Sequence, residues 1–538
     1  MASFGWRSWS ELTKRWLHGR SGSIAPLFAL MLVPVALAGG ATVDIARAVS
    51  LRANLQEAVD ATALGLAHLP ASTPQATLQA DATTWLNAEL VNKNISGMTV
   101  TVTPGTSQIC VSASLNLPTT VIGLAGISQL PVQASSTVQW GLTNIEVALV
   151  LDNTGSMSVD NKMPTLITSA TGLVNTLFAQ NNTGDPDAVK ISVVPFTQTV
   201  NIGSVYQTAP WMSPSLPAAY ATALNAAYPG LSWPNGTDIF TTAGVNRFTM
   251  LSQMGQTWGG CVESRPAPYD VQDTPPSTAN AATLFVPYFA PDEPGNGSSS
   301  YTTNGGYTQD YLADGLTSGH GVTYTWQQLQ GNAAKYIAHP RTGPAATGYA
   351  YGPNAGCTTV QPLVRLSTNQ SAILATINAM QPAGDTNLNI GFMWGWHTIS
   401  PNGPFADGVA YNTPNVKKII VFETDGWNEA TPASNADGTY YSGIGYAWQN
   451  RAGVGASSTQ AQRGAALDAR TLLACQNAQA AGITVYTVRI DVPSSQSPAV
   501  LQGCASSAAD FYDVPDVSNL PAVFNAIAGE IGHLRISR

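Results

Sequence analysis

The sequence predicts an α/β protein in three parts: an N-terminal transmembrane helix, a small α+β stalk module, and a doubly wound α/β domain with a large irregular insert. Three observations carry this expectation. No charged residue occurs between Arg20 and Asp44. Short alternating runs fill the stretch from Thr99 to Trp140. From Asn144 onward, near-continuous apolar runs alternate with amphipathic ones, as parallel strands buried on both faces and joined by helices require.

The uncharged stretch Ile24 to Val43 reads IAPLFALMLVPVALAGGATV, about the twenty residues that a helix needs to cross a hydrocarbon core. Arg7, Lys14, Arg15 and Arg20 precede it, with Trp6, Trp9 and Trp16 as interfacial anchors. The positive-inside rule then keeps 1–20 as a cytoplasmic basic segment, makes 21–43 the membrane helix and puts the rest outside. Ala36-Leu37-Ala38 offers a second reading, a signal-peptidase site behind an apolar region from Ile24 to Val35. A buried soluble helix is disfavoured by the basic flank and by Pro26 and Pro34.

After the membrane, VDIARAVSLRANLQEAVDATALGLA repeats apolar or small residues at three and four spacing, so an amphipathic helix continues outward. The run from Gly19 to His68 resembles the N-terminal segment of TadG-like Flp pilus-assembly proteins: a basic stretch, a membrane helix, a D-x-x-R turn at Asp44 and Arg47, and an LQ-x-A-x-D-A helix. Prepilin-like members of that system carry a glutamate five positions after a cleavage glycine. Five residues past Gly22 stands Leu27, so neither prepilin-peptidase processing nor polymerisation into the fibre is expected. The runs MTVTVTP, ICVSASLNL and LPVQASSTVQW, with a helical stretch from Thr119 to Ala125, complete a stalk over 44–142.

The remainder, 143–538, alternates in the doubly wound manner. Strands are expected within the run IEVALVLD, at Val147 to Leu151, and at Val189 to Phe196, Val416 to Glu423, Ile483 to Ile490 and Asp510 to Val514. Helices are expected at Met163 to Ala179, Ser371 to Met380, Thr459 to Ala480 and Asn519 to Leu534. Two inserts interrupt it, at about 203–366 and 427–458, the first too long for an ordinary loop.

Three short segments stand at ends of these elements: Asp152-Asn153-Thr154-Gly155-Ser156 after the first strand, Gly384-Asp385-Thr386-Asn387 before a helix, and Thr424-Asp425-Gly426 after the strand VKKIIVFE. In open α/β sheets, ligands bind beyond the carboxyl ends of strands, and the hydroxyls and carboxylates here are hard oxygen donors. Together the segments resemble the metal-ion-dependent adhesion site of von Willebrand factor type A domains, an Asp-x-Ser-x-Ser loop followed by a distant Thr and a distant Asp. The resemblance implies Asp152, Thr154, Ser156, Thr386 and Asp425 as metal ligands, with Thr154 in place of the first serine. It implies Mg2+, or Mn2+ or Ca2+, with one position left for an acidic side chain of a protein partner. Asp385 reads as an N-cap, with a hydrogen-bond acceptor behind the ligands as the alternative, and Glu423 as a solvent-facing neighbour.

Composition narrows the function. Charged residues make up 10% of the chain, against roughly 25% in ordinary soluble domains, which suits an exported protein. A net charge of -9 and the lack of a basic cluster beyond residue 20 argue against nucleic acid. Of the five cysteines, Cys475 and Cys504 flank a strand and Cys261 and Cys357 bracket the insert; these are the expected disulfides, with Cys110 odd and buried free thiols as the alternative. The scattered histidines, and the absence of G-x-S-x-G and of phosphate loops, give no catalytic signature. The expectation is a non-enzymatic, metal-dependent adhesion or scaffold protein of Flp pilus assembly, single-pass in the bacterial inner membrane with its bulk periplasmic or surface-exposed. The alternative is an exported carbohydrate-binding or carbohydrate-degrading protein that uses Trp211, Trp233, Trp258, Tyr301, Tyr307, Tyr311, Tyr324, Trp326, Tyr349 and Tyr351 of the insert as a contact surface. A carboxylate pair would then come from Glu263, Asp270, Asp273, Asp292, Glu293, Asp310 and Asp314.

Overall fold

The computed structural model describes residues 24–536, apart from 68, 70–72, 91–96, 106–107, 140–142, 180–186, 230–245, 294–310, 313–324, 339–351, 434–436, 456 and 492–497. The chain divides near residue 141 into two compact units.

The first unit contains helices α1 (Ile24–Ala67) and α2 (Gln75–Glu89) and strands β1 (Thr99–Pro104), β2 (Gln108–Pro118) and β3 (Gln129–Gln139), an antiparallel sheet in the order β1-β2-β3. Leu55, Ala58, Val59, Ala63 and Leu66 of α1 form one stripe and pack on Val111, Ala113, Val132 and Ala134 of the sheet. The alternating burial along β2 shows why: one face meets the helix and the other meets water. Helix α1 runs unbroken for 44 residues, so it joins the apolar N-terminal run to the stalk as one rod. Among the described residues no helix is long and apolar enough to cross a membrane. Much of the expected span falls on side chains outside the described residues, at 21–27, 29, 33, 34 and 36–38.

The second unit contains, in order, β4 (Asn144–Asp152), α3 (Lys162–Ala179), β5 (Val189–Phe196), β6 (Val200–Asn201), β7 (Cys261–Val262), β8 (Val364–Ser367), α4 (Gln370–Asn378), α5 (Leu388–Ile399), β9 (Val416–Thr424), α6 (Gln460–Ala480), β10 (Thr484–Ile490), β11 (Phe511–Val514) and α7 (Leu520–Ile536). Its sheet has the order β11-β10-β9-β4-β5-β6-β7, with β8 antiparallel on β5. The five strands from β11 to β5 are parallel. Along β4, Ile145, Val147, Leu149 and Leu151 face the core made with α3, α4 and α7, while Ala148 and Val150 face the core made with α5 and α6. Both faces are covered, which is why the strand reads as one apolar run.

Strands β6 and β7 extend the sheet antiparallel, and β7 lies inside the first insert. With two residues each they carry no periodicity for sequence reading to catch. The insert packs Trp258, Phe285, Tyr288 and Phe289 against Phe196 and Trp394, in the same core as α5.

Helix α5 lies directly on the sheet because two glycines, one turn apart, face it. A Cβ at position 391 would fall 2.5 Å from Phe196 Cγ, and one at 395 would fall 2.2 Å from Val150 Cγ2. Overpacking a filled core costs about 1–3 kcal/mol, more than the roughly 1 kcal/mol that Gly→Ala gains in an open helix. We therefore expect Gly391→Ala to lower the urea midpoint with an unchanged slope; an equal or raised midpoint would contradict this close approach.

Candidate metal centre

The sheet changes winding direction at β4. From there the chain goes to β5 on one side and returns to β9 on the other, leaving a crevice beyond the carboxyl ends of these strands. Asp152 ends β4 and Thr424 ends β9, so the geometry of the sheet brings together loops 269 or more residues apart.

Asp152 is fully buried. Its Oδ1 accepts the Thr154 backbone N–H at 2.8 Å and its Oδ2 accepts the Thr424 hydroxyl at 2.6 Å. The hydroxyls of Thr154 and Ser156 are 3.0 Å apart, and Ser156 donates to Asp425 Oδ1 at 2.6 Å. Asp425 Oδ2 meets the Lys162 ammonium at 3.1 Å, and that ammonium also pairs with Asp491 at 3.3 Å. Thr386 comes from the loop before α5. Its Oγ1 lies 3.6 Å from where a Cβ on Gly426 would stand, so its hydroxyl borders the loop after β9. Four of the five expected donors are thus linked to one another directly or through Thr424, and the fifth adjoins them.

Backbone hydrogen bonds fix the loops to each other. Gly155 N–H donates to Gly384 O at 2.9 Å, Ala383 N–H to Asn153 O at 2.8 Å and Glu429 N–H to Thr386 O at 2.8 Å. A Cβ on residue 155 would stand 3.3 Å from Gly384 O, a close approach that suits glycine. Asn387, and not Asp385, caps α5: its side chain accepts the Ile390 N–H at 3.1 Å. The Asp385 N–H instead donates to Gln198 Oε1 at 2.9 Å.

Two functional neighbours differ from, or are missing in, the sequence reading. Glu423, expected to face solvent, is fully buried, and its Oε2 accepts the Asp152 N–H at 3.1 Å. Its other oxygen, Oε1, has no hydrogen-bond partner among the described residues. A strand buried on both faces has no outward side, so alternation could not place it. Lys162, at the start of α3, carries no signal in the sequence pattern; its ion pairs form only in the fold.

Burial, and next the charge of Asp425, push the Asp152 carboxyl up to about 7. Burial, with Asp152 and Asp425 nearby, raises Glu423 well above the carboxylate range. Asp152, Glu423 and Asp425 therefore crowd together, with the Lys162 ammonium on Asp425 and Asp491. Among the described residues no group of three or more His, Cys, Asp or Glu side chains could hold a metal ion; the donors here are two carboxylates and three hydroxyls. That set fits a hard divalent cation, which takes oxygen ligands, few of them charged, and keeps some water. A cation would also relieve the crowding that now favours protons.

The insert residues named for a carbohydrate surface divide differently. Trp258 and Tyr311 are buried, and Trp211 and Trp326 pack against the same core. Trp233, Tyr301, Tyr307, Tyr324, Tyr349 and Tyr351 lie outside the described residues. Glu263 is gripped by Arg247 and Arg451, Asp270 by Arg470 and Asp292 by Lys335. Asp273 accepts from Ser400 and Tyr411, each at 2.6 Å. Glu293 is buried, and Asp310 and Asp314 lie outside the described residues. Disulfides join Cys261 to Cys357 and Cys475 to Cys504, and Cys110 is free.

Residues 22–67 match the family model described as Flp pilus-assembly TadE/G-like, so the N-terminal segment is TadE/G-like. Solved structures similar to the chain include the pilus adhesin SpaC from Lactobacillus rhamnosus GG, with a TM-score of 0.32 and 12% identity over 81% of this chain and 34% of that one. They also include the vWF domain of the type V pili tip protein Mfa5 from Porphyromonas gingivalis, with a TM-score of 0.32 and 11% identity over 74% of this chain and 97% of that one. A third is the pilus adhesin RrgA from Streptococcus pneumoniae, with a TM-score of 0.29 and 10% identity over 81% of this chain and 49% of that one. The chain thus spans about a third of SpaC. No curated protein matches the chain.

A carboxyl that binds protons more tightly folded than unfolded lowers stability once pH exceeds its unfolded value. The metal-free protein should accordingly lose stability as pH rises from about 4 to about 7. Asp152→Asn should flatten that part of a urea-midpoint profile against pH; a profile of undiminished slope would show that Asp152 does not carry it.

Proposed function

We propose that this chain is an envelope-anchored, non-enzymatic adhesion or scaffold protein of Flp pilus assembly. Its second unit holds a divalent cation, Mg2+ or else Mn2+ or Ca2+, on Asp152, Thr154, Ser156, Thr386 and Asp425. One observation carries the reading: Asp152 at the end of β4 and Asp425 just after β9 are joined through one loop, Asp152 accepting the Thr154 N–H at 2.8 Å, the Thr154 and Ser156 hydroxyls lying 3.0 Å apart and Ser156 donating to Asp425 at 2.6 Å. The bound ion supplies a Lewis-acidic position for an acidic side chain of a protein partner, the arrangement of a metal-ion-dependent adhesion site. Beside Asp425, a pocket of about 520 Å³ lined by Gly426, Trp427, Asn428, Ala461 and Gly464 gives the partner further apolar contact. Trp427 is 49% exposed at its rim, the kind of aromatic that anchors interfaces.

The TadE/G-like match and the uncharged run from Ile24 to Val43 support an inner-membrane anchor, single-pass, with the N-terminus cytoplasmic and the bulk periplasmic or surface-exposed.

Isothermal titration of Mg2+ and Mn2+ into the metal-stripped protein tests the site. Saturable binding is expected, lost in Asp152→Ala and in Asp425→Ala and weaker below pH of about 7, where Asp152 holds its proton. No binding by folded wild-type protein would overturn the metal-dependent reading.

A further inference from the structure

Within the first unit, Asp44 joins α1 to the connection between β2 and β3. Its carboxylate, almost fully buried, accepts N–H groups of Val121 at 2.7 Å and Ile122 at 2.9 Å, and the Thr120 N–H and hydroxyl. These bonds, the one from Ile122 foremost, hold it well below the usual carboxylate range. Arg47 adds a bond to the Thr120 hydroxyl at 3.0 Å. One turn nearer the N-terminus, a Cβ on Gly40 would stand 2.1 Å from Val121 Cγ1. Further out along the helix, Gln56 donates to Ser135 O of β3 at 3.0 Å. Helix and hairpin therefore run alongside each other with the β2–β3 connection at the N-terminal, apolar end. Its Val121 stands level with Gly40, inside the uncharged run that ends at Val43.

That connection is built for a surface unlike water. From Pro118 to Gln129 it has no charged residue. Leu124 is 81% exposed and Ile127 51% exposed. Most of its backbone N–H groups have partners within the unit: Thr119 N–H bonds to Ser128 O, Leu124 to Val121 O, Gly126 to Gly123 O and Ile127 to Ile122 O, beside the N–H groups taken by Asp44. Pairing of this kind lowers the cost of moving backbone groups out of water, and the interfacial layer leaves the remaining groups near water. Arg47, half-exposed just beyond the apolar run, pairs with Asp44 at 3.5 Å and keeps part of its side chain at the surface.

We propose that residues 121–127 form a membrane foot, in which Leu124 and Ile127 enter the interfacial layer of the phospholipid outer leaflet and fix the stalk against the membrane. The inference rests on the reading of Ile24 to Val43 as a membrane helix. The test uses the full chain in phosphatidylethanolamine–phosphatidylglycerol vesicles, in a Cys110→Ser background, with a nitroxide on Leu124→Cys, Ile127→Cys, Leu32→Cys or Asp60→Cys. Collisional access of oxygen and of a water-soluble nickel chelate is then compared. The expected oxygen-to-nickel ratio at 124 and 127 is several-fold above that at Asp60 and below that at Leu32. A nickel-accessible 124 with a lipid-buried Leu32 would remove the foot and leave the anchor. A nickel-accessible Leu32 would remove the anchor itself. Exclusion of both reagents at 124 would overturn the foot in favour of a protein contact, including one with a second copy.

Discussion

Strand β4 is hydrogen-bonded on both edges, to β5 and β9, and buried on both faces. That double constraint orders the second unit. It fixes β9 beside β4, pairing Asn144 with Val416 far along the chain, and so it sets Asp152 and Asp425 side by side at the carboxyl edge. The glycine face of α5 then lets the helix lie flat on β4 and β5, which brings Thr386 and the Asn387 cap over the same edge.

The site that results is electrostatically unfinished. Asp152, Glu423 and Asp425 stand in a space with little water, and Lys162 is the ammonium that faces Asp425. Charges of one sign in such a space favour either protons or a cation, which is why the Asp152 carboxyl is displaced upward and the donor set suits a hard ion. The pH dependence expected of the protein comes from this crowding, which a bound cation would relieve.

The insert shows that acidic and aromatic richness does not make a cleft. Glu263, Asp270, Asp273 and Asp292 are consumed by arginine, lysine and hydroxyl partners in the interior, and Trp258, Phe285, Tyr288 and Phe289 fill the core above α5. Arg451, from the second insert, binds Glu263 of the first, so the two inserts, distant in sequence, share one buried ion network.

By itself the sequence determined what periodicity and composition can carry: the uncharged N-terminal run, the stripe on α1, and the parallel strands and helices whose ends lie close to the positions read from the apolar runs. It also determined the chemistry of the donor residues, because hydroxyls and carboxylates stood at element ends. Only the tertiary structure decided which of these side chains meet, since hydrogen bonds between loops far apart in the chain leave no local trace. It buried Glu423, which a two-faced strand could not reveal by alternation, and recruited Lys162 from a helix start. It also turned the short strands β6, β7 and β8 into sheet, because pairing, and not propensity, holds segments of two to four residues in place.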